Sequence, residues 1–170
     1  MLNLEQIKKA AIVLNGNIRK TDLIFAPNIV ANNNIFLKCE NLQTTGAFKL
    51  RGAFYKISQL TDSQKERGVI ACSAGNHAQG VALSAQKNNI KSIIFIPSTA
   101  PISKIEATRS YGAEIRLIDG AYDDAYEAAI KYYEETGATF VHPFDDEMVI
   151  AGQGTIGLEL FEQLPNMDAV

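Results

Sequence analysis

The sequence contains few cysteines and histidines, which limits the covalent and metal chemistry open to it. Its two cysteines, Cys39 and Cys72, both lie in apolar runs with the pattern of strands. We therefore expect buried, reduced thiols and not a disulfide. Its two histidines, His77 and His142, have no cysteine or carboxylate neighbours at the spacing of a metal site. A zinc site is therefore not expected.

An excess of positive charge and long apolar runs are also missing. The 170 residues carry 16 Lys and Arg against 19 Asp and Glu, a formal net charge of −3, and no basic stripe. This balance argues against nucleic acid or an acidic membrane surface as the main partner. No apolar run is long enough to span a bilayer, and residues 1–5 lack the pattern of a secretory signal. We therefore expect a cytoplasmic protein that acts away from membranes.

The sequence does have a regular alternation of short apolar strands and longer helices. Strand patterns occur at residues 35–39, 68–72, 92–96, 114–118 and 139–141. Helix patterns occur at residues 4–14, 49–59, 76–87, 101–111, 122–135 and 146–163. Such alternation is typical of βαβ units, so we predict an α/β fold with helices on both faces of a mostly parallel sheet. Residues 168–170 have the pattern of the beginning of a further strand.

A lysine opens the second predicted helix. In residues 40–53 a strand ends, a polar stretch with Gly46 follows, and Lys49 begins the helix. The positive end of a helix disfavours an ammonium group, which would help lower the pKa of Lys49. An ordinary lysine would need about 4–5 kcal/mol to lose its proton at pH 7, so a nucleophilic lysine requires such surroundings. On position alone, a solvent-exposed lysine without a special role is the more common case.

The turn between the predicted strand at 68–72 and the following helix offers a site for an anion. The chain passes through the small residues Ser73, Ala74 and Gly75 directly into a helix at Asn76. Backbone N–H groups at such a turn can bind a carboxylate or a phosphate. A tight turn with Asn76 as the helix cap would explain the same residues. The glycine motifs of dinucleotide-binding and P-loop proteins are absent, which removes the main support for those functions.

Three segments together resemble the fold-type II enzymes that use pyridoxal 5′-phosphate (PLP), and among them the threonine dehydratases, or threonine ammonia-lyases. Residues 45–53 (TGAFKLRGA) are similar to the cofactor-lysine motif of this family, in which a serine more often stands at the Ala47 position. Residues 73–77 (SAGNH) resemble its substrate-carboxylate loop, and residues 149–157 (VIAGQGTIG) resemble a third family segment. The order and spacing of all three agree. The resemblance implies β-elimination from L-threonine and L-serine, which yields a 2-oxo acid and ammonia.

The resemblance also implies roles for individual residues. Lys49 would form the Schiff base with PLP and then act as the base at the substrate Cα, while Phe48 would pack against the cofactor ring. Asn76 would donate a hydrogen bond to the 3′-oxygen of that ring. The turn that binds the substrate carboxylate would consist of Ser73, Ala74, Gly75, Asn76 and His77.

Two further positions bear on the choice of reaction and substrate. Serine racemases of this family are similar through the carboxylate loop but have a second serine, which acts as an acid and base, where this chain has Ala74. Because alanine has no proton to exchange, elimination is expected and racemisation is not. Phe144 is a candidate wall of the substrate pocket, where an apolar surface would suit the β-methyl group of threonine.

The resemblance divides the chain into three parts. Residues 1–45 would begin the large domain, residues 46–150 would form the small α/β domain, and residues 151–170 would return to the large domain. In the family, the glycine-rich loop that binds the PLP phosphate and the residue at the pyridine nitrogen follow later, and relatives commonly form homo-oligomers. Alternatives to an active dehydratase stay open: a non-catalytic fragment of such an enzyme, a relative of serine racemase, or a flavodoxin-like module that binds a nucleotide or another anion.

Overall fold

The computed structural model describes residues 2–170, which contain a small antiparallel sheet followed by a larger parallel one. The small sheet pairs β1 (Leu23–Phe25) with β2 (Phe36–Lys38). The parallel sheet consists of β3 (Val69–Cys72), β4 (Ser92–Pro97), β5 (Glu114–Ile118) and β6 (Thr139–Phe140). Its strand order is β5-β4-β3-β6, and every neighbouring pair is parallel.

Helices connect these strands and cover the sheet. They are α1 (Leu4–Leu14), α2 (Lys49–Ser58), α3 (Asp62–Arg67), α4 (Asn76–Lys87), α5 (Ile102–Arg109), α6 (Tyr122–Thr136) and α7 (Glu147–Gln163). The six predicted helices and the five predicted strands between residues 35 and 141 are present, with bounds that agree to within two residues at each end. No helix within residues 2–170 is long and apolar enough to cross a membrane.

Side chains of β3 and β4 alternate between the two faces of the parallel sheet, as strand geometry requires. The residues packed with α2, α4 and α5 include Val69, Ala71, Ile94 and Ile96. The residues packed with α6 include Ile70, Cys72, Ile93 and Phe95. Burying each of the larger side chains contributes about 1.5–3 kcal/mol. The prediction of an α/β fold with helices on both faces of a parallel sheet is confirmed.

The structure differs from the sequence-based prediction in five details. β1, α3 and a single 3-10 turn at Glu40–Leu42 were not predicted, because all three are too short to show a hydrophobic period. The start of α3 could have been found, because Thr61 and Gln64 form a reciprocal capping box. Cys72 is buried as expected, but Cys39 is partly exposed because β2 belongs to a two-stranded sheet with open faces. Residues 168–170 form no strand, since no described strand pairs with them.

Two glycines allow α2 and α7 to cross with their backbones in contact. A Cβ atom at Gly52 would lie 2.6 Å from the carbonyl oxygen of Val149, closer than real Cβ atoms approach other groups. The N–H group of Gly52 donates a hydrogen bond of 3.1 Å to Oε1 of Gln153. A Cβ atom at Gly152 would lie 2.6 Å from the carbonyl oxygen of Arg51. Residues 149–157 therefore form the packing surface for the helix that begins with Lys49. The division into domains after residues 45 and 150 stays a prediction.

Candidate active site

Two loops and one helix end meet at the carboxyl edge of the parallel sheet. Because β3 and β6 are neighbouring parallel strands, the loops that follow them leave the sheet at the same edge. The close packing of α2 against α4 places Lys49 beside the loop after β3, since a Cβ atom at Gly80 would lie 3.2 Å from the Lys49 carbonyl. Ligands of open α/β sheets bind outside the carboxyl ends of the strands. This edge is therefore the candidate active site.

Lys49 is the first residue of α2, and its side chain is held by the loop after β6. Its Nζ donates a hydrogen bond of 2.6 Å to the carbonyl oxygen of Pro143. The same atom lies 5.5 Å from the ring centroid of Phe48, which is 41% exposed. Burial lowers the pKa of Lys49 below its ordinary value. The direction agrees with the sequence-based expectation, and loss of solvent is its cause here.

His77 lies in the first turn of α4 and is buried, with 3% of its surface exposed. Its Nε2 donates a hydrogen bond of 2.8 Å to the carbonyl oxygen of Val141, so the neutral ring has its proton on Nε2. Its Nδ1 has no hydrogen-bond partner among the described residues. Burial lowers the pKa of His77 to about 4, with a further lowering by Lys49 and His142 and an opposing effect of the Val141 bond. The ring is therefore uncharged at neutral pH.

The turn before α4 leaves the helix N-terminus free of a side-chain cap. Gly75 occupies the cap position, no side chain among residues 2–170 caps the first turn, and Asn76 is an exposed first residue of the helix. The alternative that Asn76 caps this helix is therefore wrong. Ser73 Oγ accepts a hydrogen bond of 3.2 Å from the Gly75 N–H group, which leaves the hydroxyl proton available to a ligand. Uncapped N–H groups with the helix dipole behind them favour an anion.

The loop after β6 presents Phe144 at the rim of this edge. His142 Nδ1 accepts hydrogen bonds from the N–H groups of Asp145, at 2.7 Å, and Phe144, at 3.3 Å. The Phe144 ring lies edge-on to His142 with 4.7 Å between the ring centroids, and 67% of Phe144 is exposed. Asp146 caps α7 by accepting from two of its N–H groups and pairs with Lys56 of α2 at 2.7 Å. The loop is therefore fixed at both ends while Phe144 stays accessible.

A buried cluster of charges supports α2 on the side away from the sheet. The fully buried guanidinium of Arg51 donates to Glu40 at 2.8 and 2.7 Å, and to Glu159 at 2.6 and 2.9 Å. Lys38 Nζ lies 2.5 Å from Oε2 of Glu159. Burial alone would raise the pKa of Glu159, but the hydrogen bonds from Arg51 and Lys38 hold it below its ordinary value. The cluster ties the N-terminal segment and α7 to the helix that carries Lys49.

The structure brings together most of the residues that the sequence singled out, and adds two groups that sequence reasoning missed. Lys49 and Phe48 lie on one side, and the turn at residues 73–77 and Phe144 belong to the two loops at the same edge. The missed groups are the carbonyl of Pro143 and the ring of His142, and His77, which was predicted as part of the turn, also bonds the Val141 carbonyl through its ring. The available signal was the position of residues 141–144 directly after the carboxyl end of a predicted strand.

Comparison with known proteins agrees with this geometry. The model of the family described as pyridoxal-phosphate dependent enzyme matches residues 14–170. An L-threonine ammonia-lyase from Thermotoga maritima is 51% identical over 172 residues, which cover 100% of this chain and 43% of that protein. A catabolic L-threonine dehydratase from Staphylococcus aureus is 45% identical, with 100% of this chain and 50% of that protein covered. The chain thus spans about half the length of these curated relatives.

Solved structures lead to the same family. A maize serine racemase aligns with a TM-score of 0.94 and 38% identity, over 98% of this chain and 51% of that one. A threonine deaminase from Solanum lycopersicum aligns with a TM-score of 0.88 and 35% identity, over 97% of this chain and 47% of that one. The flavodoxin-like alternative is therefore wrong. With a family model that matches all but its first residues, the chain belongs to the pyridoxal-phosphate-dependent enzymes of fold type II.

Proposed function

We propose that this chain serves a PLP-dependent ammonia-lyase reaction in which L-threonine or L-serine is converted to a 2-oxo acid and ammonia. For threonine the products are 2-oxobutyrate and one ammonia, so the atoms balance without a further reactant. The observation that carries the proposal is the half-buried Lys49 at the carboxyl edge of the sheet, with its Nζ 2.6 Å from the Pro143 carbonyl. Relatives named as L-threonine ammonia-lyases, 51% and 47% identical to this chain, support the choice of reaction.

The residues at this edge fit PLP by their chemistry. The cofactor presents an aldehyde, which needs an amine, and Lys49 offers one whose pKa is lowered by burial. Its flat ring needs an apolar neighbour, and the exposed ring of Phe48 lies 5.5 Å from the Lys49 Nζ. Asn76, exposed at the first position of α4, would donate to the oxygen on the cofactor ring. When bound, PLP withdraws electrons from the bonds at the substrate Cα.

Lys49 would hold the cofactor through Nζ and, once displaced by the substrate amine, would move the proton at Cα. A lowered pKa raises the fraction of neutral amine at neutral pH, and only the neutral amine can accept that proton. The 2.6 Å bond to Pro143 occupies one N–H of the amine and leaves its lone pair free. Lys49 is therefore suited to both the attachment and the proton transfer.

The turn before α4 would bind the substrate carboxylate and so orient the Cα–H bond. Its donors would be the hydroxyl of Ser73 and the backbone N–H groups of the uncapped helix start. The residues proposed for this turn are Ser73, Ala74, Gly75, Asn76 and His77. Phe144, exposed and held edge-on by His142, would form an apolar wall beside the substrate side chain. Fixed orientation of this kind supplies a large part of enzymatic rate enhancement.

Racemisation of serine is the second candidate, because a maize serine racemase aligns with a TM-score of 0.94. Ala74 favours elimination, since a methyl group cannot deliver a proton to the opposite side of Cα. The two reactions are separated by incubating the chain and PLP with L-serine and measuring pyruvate and D-serine. Pyruvate with little D-serine supports elimination, and D-serine as a main product would reject it.

The proposed function is tested by incubating the chain and PLP with L-threonine and measuring 2-oxobutyrate and ammonia. We expect equal amounts of both, and none from a Lys49→Arg variant, which keeps the charge but cannot attach the cofactor. Cofactor attachment without any product would instead favour the alternative of a non-catalytic fragment. Assembly into a homo-oligomer and a cytoplasmic location belong to the same proposal, and light scattering of the purified chain checks the former.

A further inference from the structure

The loop after β6 accepts hydrogen bonds from two side chains that belong to different helices. His77 of α4 donates to the carbonyl oxygen of Val141 at 2.8 Å, and Lys49 of α2 donates to the carbonyl oxygen of Pro143 at 2.6 Å. Only His142 separates the two accepting residues. The position of the Pro143 carbonyl therefore depends on how firmly Val141 is held.

Val141 is held through both of its backbone groups. Its N–H donates to the carbonyl oxygen of Ile70 on β3 at 2.8 Å, and its carbonyl accepts from His77. Pro143 has no N–H group, so its carbonyl is its one backbone hydrogen-bonding group, and Lys49 occupies it. The segment from Val141 to Pro143 is thus fixed by β3 and His77 at its beginning and presents an acceptor to Lys49 at its end.

Burial of the His77 ring costs free energy, which the hydrogen bond from its Nε2 to the Val141 carbonyl offsets. The ring is 3% exposed, and Nδ1 has no hydrogen-bond partner among residues 2–170. A buried acceptor without a partner lowers the stability of the fold, a cost that an apolar side chain in the same space would avoid. What an apolar side chain would not provide is the donor at Nε2. The hydrogen bond from Nε2 to the Val141 carbonyl is therefore the feature that needs a functional explanation.

We propose that His77 is a positioning residue for Lys49: by holding the Val141 carbonyl, it fixes the segment whose Pro143 carbonyl orients the free amine of Lys49. The inference rests on the proposed function, in which Lys49 attaches the cofactor. A neutral amine has two N–H bonds and one lone pair, so donating one N–H to Pro143 gives the lone pair a defined direction. His77 would thus set the place to which Lys49 returns whenever it is detached from the cofactor.

The charges around the ring are consistent with a neutral donor. The ionisable groups that act on His77 are Lys49 and His142, and both disfavour a positive charge on its ring. Burial lowers the pKa of Lys49 as well, and the Val141–Pro143 segment contacts its Nζ. Releasing this segment would admit water to the amine and raise its pKa toward the ordinary value.

The test compares two substitutions of His77 in the chain without added cofactor. His77→Leu removes the donor, whereas His77→Gln keeps an N–H group that reaches the Val141 carbonyl. The fraction of neutral Lys49 is measured as the pH dependence of its reaction with an amine-specific acylating reagent, read by peptide mass spectrometry. We expect the midpoint of the pH dependence of Lys49 acylation to rise by about one pH unit in His77→Leu. In His77→Gln this midpoint should stay close to that of the wild type.

A control in the same helix separates positioning from loss of stability. Ser84 is buried in α4 and donates to the Gly80 carbonyl at 2.6 Å, so Ser84→Ala removes a hydrogen bond from the helix without touching the loop. We expect Ser84→Ala to lower stability and to leave the Lys49 profile unchanged. Equal profiles in His77→Leu and wild type, or equal shifts in His77→Leu and Ser84→Ala, would overturn the proposal.

A second measurement needs no variant and decides the matter if His77→Leu does not fold. Nitrogen-15 NMR of the wild-type imidazoles should show the His77 proton on Nε2 between pH 6 and pH 8; a proton on Nδ1, or on both nitrogens, would overturn the proposal. Attachment of PLP to Lys49 is measured in parallel. If PLP attaches to Lys49 but His77→Leu does not change the pH dependence of Lys49 acylation, the positioning role fails and the proposed function stands. If PLP does not attach but the profile moves, the positioning role holds and the proposed function fails.

Discussion

Arg51 of α2 and Glu159 of α7 are joined by two hydrogen bonds, of 2.6 and 2.9 Å, at a place where the arginine side chain is fully buried. Glu40 accepts from the same guanidinium, so one arginine connects three segments of the chain. The helix that begins with Lys49 is therefore held from behind by paired charges. A buried ion pair is not necessarily more stable than an apolar contact, but loss of one partner leaves the remaining charges incompletely paired.

Removing the side chain of Arg51 should make the folded chain much less stable. We expect Arg51→Met to lower the free energy of unfolding by about 3–5 kcal/mol, because Glu40 would lose its ion-pair partner and Glu159 would keep only Lys38. Urea unfolding followed by circular dichroism measures the change. The control is Lys65→Met on α3, where the pair with the exposed Asp62 should contribute little. A similar effect of both substitutions would contradict a special role for the cluster.

Two glycines of α7 should respond in opposite ways to the same substitution. A Cβ atom at Gly152 would lie 2.6 Å from backbone atoms of α2, so Gly152→Ala should cost about 1–3 kcal/mol by forcing the helices apart. At Gly157, no described atom lies within 4 Å of a Cβ atom, so Gly157→Ala should gain up to about 1 kcal/mol of helix stability. Both variants are compared with wild type by urea unfolding. Equal effects at the two positions would show that the helix crossing does not depend on glycine.

The buried ring of His77 should make the chain sensitive to mild acid. Its pKa is lowered to about 4 in the folded chain and is about 6.5 when unfolded, so between these values the unfolded chain binds more protons. The free energy of unfolding should therefore fall as the pH drops from 6.5 to 4, by an amount on the order of 3 kcal/mol from this residue. His77→Gln, which has no proton to gain, should lose less stability over this range. Parallel curves for wild type and His77→Gln would contradict the prediction.

The sequence carries enough local information for the sheet and its helices. The bounds of β5 and α4 agree with the structure at every residue, because apolar side chains recur there with a clear period over five or more residues. The three residues of β1 offer no period, and their pairing with β2 is decided by contacts outside the segment. Local pattern thus suffices where an element is long enough to have one.

The site was predictable in part from resemblance to a family, whereas the fold was predictable from local sequence pattern. Resemblance identified Lys49 and the turn at residues 73–77 without any knowledge of which atoms they meet. That Lys49 contacts the Pro143 carbonyl, 94 positions along the chain, follows only from the parallel pairing of β3 with β6. The burial of Arg51 was equally out of reach, since arginine is rarely buried and its partners come from two distant segments.

The most direct test of the account is to map where PLP attaches to the chain. Purified chain is titrated with PLP, the visible absorbance of bound cofactor is followed, and the complex is reduced with borohydride and digested for mass spectrometry. We predict a saturable absorbance band with the label confined to Lys49, and loss of both in Lys49→Arg. Lys56 in the same helix, paired with Asp146 at 2.7 Å, should stay unlabelled. Label spread over exposed lysines such as Lys131, with none enriched at Lys49, would contradict the central claim.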